Sequence, residues 1–213
     1  CRPMVMPAPV GNLALLKKYL NLQPGSVMLV IAWITYTLAH PKVPSSKFVI
    51  LIVQGHHGSG KSLFCQMLKT LIDPSVVSIQ MLPGNAKDLA IDAQNAHVLC
   101  YDNVREFRPA MSDVLCIAAT GGALTTRQLY TDAEVQIHTI QVALVLNGIH
   151  PFVGQPDLAQ RCLPIELLPI AEKDRKSDAQ LAAELQADLP AIQRGLFDLI
   201  ADVFTHLPKA EVT

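Results

Sequence analysis

The residues with the plainest chemistry are Gly55–Ser62, GHHGSGKS, a full match to the pattern G-x-x-x-x-G-K-[ST]. Gly55, Gly58 and Gly60 allow positive φ, so that successive N–H groups can turn inward and form a nest for an anion. His56, His57, Gly58 and Ser59 fill the four variable positions, and Leu63 continues into the next element. Lys61 is the flexible cation suited to β- and γ-phosphate oxygens, and Ser62 carries the hydroxyl suited to Mg²⁺. The motif therefore predicts a site for the phosphates of a nucleoside triphosphate.

Such a site needs an acid to organise the metal, normally at the end of a neighbouring buried strand. His97–Asn103, HVLCYDN, offers Asp102. An Asp after an apolar run is by itself an ordinary strand-end residue; its place downstream of the phosphate loop gives it the metal role, shared with Ser62. A Glu in the next position would polarise an attacking water, but the chain has Asn103 there. Asp102 itself, Asn103 and Glu106 all stand as candidates for that task. Asn147 ends another apolar run, VALVLNG, where it would face the γ-phosphate. Arg161 and Arg127 are the two candidates for stabilising charge that develops on the phosphate.

These residues need a frame. FVILIVQ (48–54) is β-branched without polar alternation, as in a strand buried on both faces, and 61–72 follows as a helix. Further strands are predicted at 76–81, 97–101, 142–146 and 163–168, with helices at 86–95, 109–119 and 156–161. The Thr-rich stretch 123–139 reads as a hairpin or extended insert. An amphipathic helix (11–21) and an apolar one (27–39) precede this core, and two helices, 177–188 and 190–206, close it. The pattern predicts an α/β P-loop NTPase with a mainly parallel five-stranded sheet flanked by helices. Its segments are an N-terminal helical part (1–46), the core (47–170) and a C-terminal helical part (171–213).

Composition narrows the setting. Half of the 213 residues are hydrophobic, 16% are charged and the formal net charge is −1, so any nucleic-acid contact must come from a local patch. Five cysteines without a CxxC pair suit reduced thiols in the cytoplasm, and the seven histidines show no zinc spacing. The apolar run at 27–39 is shorter than the ~18–20 residues that cross a bilayer, so no membrane role is expected. The opening Cys-Arg-Pro, without an initiator Met, points to a piece of a longer chain.

The order strand–GHHGSGKS–helix, strand–YDN, strand–LNG, helix–Arg–strand resembles AAA+ ring ATPases, and more narrowly the superfamily 3 helicase-like ATPases of phages, plasmids and viruses. It is most similar to ATP-binding proteins of bacterial mobile elements that accompany primase modules. GSGKS (58–62), LIDP (71–74), DNV (102–104), SDVLCIAATGG (112–122), TRQLYTD (126–132), LNGI (146–149) and PDLAQRCLPIELLPI (156–170) carry the likeness. The resemblance implies ATP and Mg²⁺ as cofactors, with Lys61 and Ser62 on phosphate and metal and Asp102 on Mg²⁺. It also implies Asn147 as γ-phosphate sensor, Arg161 as a finger reaching a neighbour's site, and a homo-oligomeric ring, most simply a hexamer. Relatives carry Arg before Pro-Asp-Leu and Asp before the finger; here Gln155 and Gln160 stand in those places. Two functions compete: a helicase or translocase on single-stranded DNA, with 123–139 as the DNA-touching hairpin, and a nucleotide-switched helicase loader or DNA-binding adaptor with slow turnover. A small-molecule kinase uses the same loop, but the sequence shows no lid segment with multiple arginines.

Overall fold

The computed structural model describes residues 2–43, 46–127 and 135–207, with side chains in all of these except 124–127 and 135–138. A 3-10 helix, Leu13–Tyr19, leads into α1 (Pro24–Ala39) and β1 (Ile50–Gln54). After the glycine-rich loop at 55–60 come α2 (Lys61–Ile72), β2 (Gln80–Met81), α3 (Ala86–Asn95), β3 (Val98–Asp102) and α4 (Pro109–Thr120). A ribbon of β4 (Gly122–Arg127) and β5 (Val135–Ile140) precedes β6 (Ala143–Asn147), α5 (Pro156–Ala159), β7 (Cys162–Glu166) and α6 (Asp178–His206).

Five strands form one sheet in the order β2-β3-β6-β1-β7, each pair parallel. Alternate residues of each strand face opposite sides. Leu51, Val53, Val98, Cys100, Ala143 and Val145 join a core with α1, α2 and α6. Ile50, Ile52, Leu99, Tyr101, Leu144 and Leu146 join the second core, with α3 and α4. Burial on both faces explains why these strands read as unbroken apolar runs. The first core draws on residues 16–34 and 189–196 as well as the sheet, so both terminal segments pack on the central one.

The α/β class and the five-stranded parallel sheet match the sequence expectation. Three local expectations are corrected. The first helix is a short 3-10 turn, Leu13–Tyr19, whose Asn12 side chain accepts from the Ala14 N–H. The strand expected over 76–81 reduces to Gln80–Met81, because Val76 and Val77 are exposed rather than buried. The two closing helices are one, α6, running through Pro190. Pro190 removes one internal N–H bond, but Leu189, Ile192 and Leu196 bury on either side of it. The N-terminal segment also holds this turn, with Ala8 N–H on the Pro190 carbonyl and Asn12 N–H on that of Ala191. No helix among the described residues is long and apolar enough to cross a membrane.

One buried ion pair fastens α2 to the sheet. Lys69 Nζ donates to Asp73 Oδ2 at 2.6 Å and to the Val98 carbonyl at 2.5 Å. The same carboxylate oxygen accepts from the N–H groups of His97 (2.7 Å) and Val98 (3.1 Å). The LIDP stretch thus ends α2 and locks the start of β3. Burial alone would raise the Asp73 pKa, but the hydrogen bonds and the Lys69 charge outweigh it and hold the carboxyl below its usual value.

Candidate nucleotide site

Gly55 follows β1 directly, at the carboxyl edge of the sheet, and α2 begins at Lys61. Gly60 caps α2 in the left-handed region (φ 83°, ψ 21°) and, having no side chain, supplies no capping hydrogen bond to the helix N-terminus. The first N–H groups of α2 therefore have no intrahelical acceptor and point into the loop. Lys61 Nζ lies inside it, donating to the carbonyls of Gly55 (2.8 Å) and His56 (2.9 Å). Desolvation lowers the Lys61 pKa, opposed by the negative charge of Asp102. Ser59 is buried and its Oγ has no hydrogen-bond partner. His56, His57 and Gly58 are exposed, and Leu63 turns into a neighbouring cavity. A cation free to change partners, an orphaned hydroxyl and an open helix N-terminus fit a polyphosphate.

Asp102 ends β3, and its Oδ2 accepts from Ser62 Oγ at 2.9 Å. Two hard oxygen donors converge there from separate elements, the donor set that Mg²⁺ prefers. Asn103 follows with φ 55°, the only non-glycine residue with positive φ among those described. Asn147 ends β6 and is buried; its Oδ1 accepts from Asn103 N–H (3.2 Å) and its Nδ2 donates to Cys65 Sγ (3.3 Å). Asp102, Asn103 and Glu106 border a cavity of about 830 Å³, with Glu106 exposed at its rim beside Arg105 and Arg108.

Arg161 lies elsewhere. Its carbonyl accepts from Ile50 N–H, so it sits at the amino edge of the sheet. The five residues of β1 separate that edge from the glycine-rich loop by roughly 16 Å. Its NH1 pairs with Asp157 Oδ1 at 2.5 Å, and its side chain is 32% exposed. The ribbon carrying Arg127 also starts at this edge, beside the end of α4, whose Ala118 and Ala119 carbonyls accept from Val142 and Phe48 N–H. The Arg127 side chain and residues 128–134 of the expected hairpin lie outside the described residues.

Arg175 was not apparent in the sequence. It follows a short 3-10 turn, Glu172–Asp174, and its guanidinium covers Gly58, where an added Cβ would come within 3.1 Å of NH2. Gly58 itself has φ 77°, which already disfavours a side chain. The only hint lay in a lone Arg within the charged run EKDRKS after the last strand. Beside the loop, a cavity of about 210 Å³ opens between α2 and α6, lined by Tyr19, Asn21, Ser59, Leu63, Ile170 and Leu185.

A family model described as actinomycete integrative conjugative element replication protein matches residues 13–212. A search of curated proteins gives no significant match. Among solved structures, the apo C-terminal region of NrS-1 (305–718) aligns with TM-score 0.59 and 18% identity, covering 91% of this chain and 48% of that one. Its A form gives TM-score 0.58 and 18% identity, covering 90% and 46%. This chain thus spans about half the length of those regions. A JCV helicase is a looser match, with TM-score 0.45, 14% identity and coverage of 83% and 49%.

Proposed function

The chain belongs to the family of actinomycete integrative conjugative element replication proteins, and from that premise we propose that it is an ATP-hydrolysing motor segment that works on DNA during replication of a mobile element. The observation that supports this most is the Ser62–Asp102 hydrogen bond beside an open helix N-terminus and a lysine held on loop carbonyls. Lys61 leaves those carbonyls for β- and γ-phosphate oxygens, and the N–H groups of the loop and of α2 complete the cradle. Ser62 and Asp102 hold Mg²⁺, which when bound supplies charge neutralisation to the phosphates. Arg175 adds a second cation from the same chain. The apolar cavity along Leu63 receives the base and ribose. Asp102, Asn103 and Glu106 face the space where an attacking water is oriented.

Arg161 is too far from its own loop, so its part is played at a neighbour's site across an oligomeric ring, a hexamer in the simplest case. The β4–β5 ribbon is the DNA-facing element, with single-stranded DNA as the expected substrate. A second reading, a nucleotide-switched helicase loader with slow turnover, draws support from Asn103 standing where a Glu would polarise water.

The ATPase rate, measured with and without single-stranded DNA over a protein concentration series, separates the readings. A motor shows stimulation by DNA and a steep rise with protein concentration. A loader binds ATP but turns over slowly whatever the DNA. No Mg²⁺-dependent nucleotide binding at all would overturn both.

A further inference from the structure

The links around Asp102 close into a ring. Ser62 Oγ donates to Asp102 Oδ2 (2.9 Å), and the next residue, Asn103, donates its N–H to Asn147 Oδ1 (3.2 Å). Asn147 Nδ2 donates to Cys65 Sγ (3.3 Å), and Cys65 stands one helical turn after Ser62. The main chain reinforces the same joint: Val104 N–H donates to the Asn147 carbonyl (2.8 Å) and Gly148 N–H to that of Val53 (3.1 Å). Each half of the Asn147 carboxamide is used, the oxygen toward β3 and the nitrogen toward α2.

We infer that Cys65 is a positioning residue for the metal-side acid: by anchoring the Asn147 amide it fixes the left-handed turn at Asn103 and so keeps the Asp102 carboxylate against Ser62. The inference rests on the nucleotide site proposed above. The thiol suits the task because it is buried and neutral, its pKa pushed up to about 12 chiefly by desolvation. A neutral sulfur accepts from an amide without placing a charge beneath Asp102. Asn at position 103 suits it too, since Asn adopts the left-handed conformation more readily than other residues with a Cβ.

The test measures binding of a fluorescent ATP analogue to the whole chain with and without Mg²⁺, and the Mg²⁺ concentration that gives half-maximal binding. Cys65→Ala leaves Mg²⁺-free binding unchanged and raises the half-saturating Mg²⁺ concentration about threefold to tenfold, as for one lost neutral hydrogen bond. Cys65→Ser, which keeps an acceptor, restores the parent value. Asn147→Ala gives a similar shift, and the double variant is no worse than Asn147→Ala alone, because both cut the same chain of contacts. A Cys65→Ala protein with the parent's Mg²⁺ dependence, or shifts that add in the double variant, overturns the relay while leaving the nucleotide site standing. A parent protein without Mg²⁺-dependent binding overturns the site and the relay with it.

Discussion

Ser62 and Asp102, 40 residues apart in sequence, meet through a 2.9 Å hydrogen bond from Oγ to Oδ2. The bond exists because β1 and β3 both flank β6 in parallel, which brings their carboxyl ends to one edge of the sheet. The loop that follows β1 and the acid that ends β3 then share one crevice.

Asp102→Asn tests that pairing. The amide can still accept from Ser62, but it cannot anchor Mg²⁺ as a carboxylate does. ATP binding without Mg²⁺ should persist, while Mg²⁺-dependent turnover falls about 10²-fold or more. Retention of a tenth of the parent rate would shift the metal role to another carboxylate, with Glu106 examined next.

Lys61→Ala removes the cation that the loop carbonyls hold at 2.8 and 2.9 Å. Two charge-assisted contacts to phosphate are lost, so ATP affinity should fall about 10²-fold, read by titration with a fluorescent nucleotide. The urea midpoint should barely change, since the frame of the loop is set by β1 and α2.

Arg175→Ala should weaken ATP binding about tenfold and leave adenosine binding unchanged, because the guanidinium lies over Gly58 rather than beside the base cavity. Gly58→Ala should give a comparable loss by displacing Arg175 and straining a residue at φ 77°. Equal weakening of ATP and adenosine would place Arg175 on the nucleoside instead.

Arg161→Ala should bind ATP normally yet hydrolyse it about 10³-fold or more slowly, as for other fingers acting on phosphoryl groups. Mixing it with Lys61→Ala should recover part of the rate, since the second protein supplies an intact Arg161 to the first one's intact loop. If the ion pair with Asp157 is its whole purpose, turnover stays near the parent value. Failure of rescue in demonstrably mixed assemblies would count against the ring.

Lys69→Met leaves the buried Asp73 carboxylate without its cation and should cost about 3–5 kcal/mol in urea unfolding. The Asp73 pKa is lowered in the folded chain, so its stabilising effect is full above the unfolded-state value of about 3.9. The effect is lost as pH falls through the lower folded value. Stability followed from pH 6 downward should therefore decline less steeply below about pH 4 in Asp73→Asn than in the parent.

The glycine-rich loop, the α/β class and the presence of five parallel strands were legible in the sequence. The loop rests on a fixed glycine spacing, and β1, β3 and β6 on apolar runs that strands buried on both faces require. By contrast, β2 and β7 lie partly exposed at the sheet edges, and β2 kept only Gln80–Met81 of the expected 76–81. The apolar runs also marked Asp102 and Asn147 as strand-end residues. Which residues meet was set by packing between distant segments. Strand order carried Asp102 to Ser62, and helix α2 presented Cys65 to Asn147. The direction of β7 left Arg161 at the opposite edge from the loop, while the turn after it returned Arg175 to Gly58. Such placements depend on contacts between residues far apart in the chain, and no periodicity or spacing encodes them. The joining of α6 through Pro190 has the same origin: local propensity argued for a break, and packing on both sides of the proline overrode it.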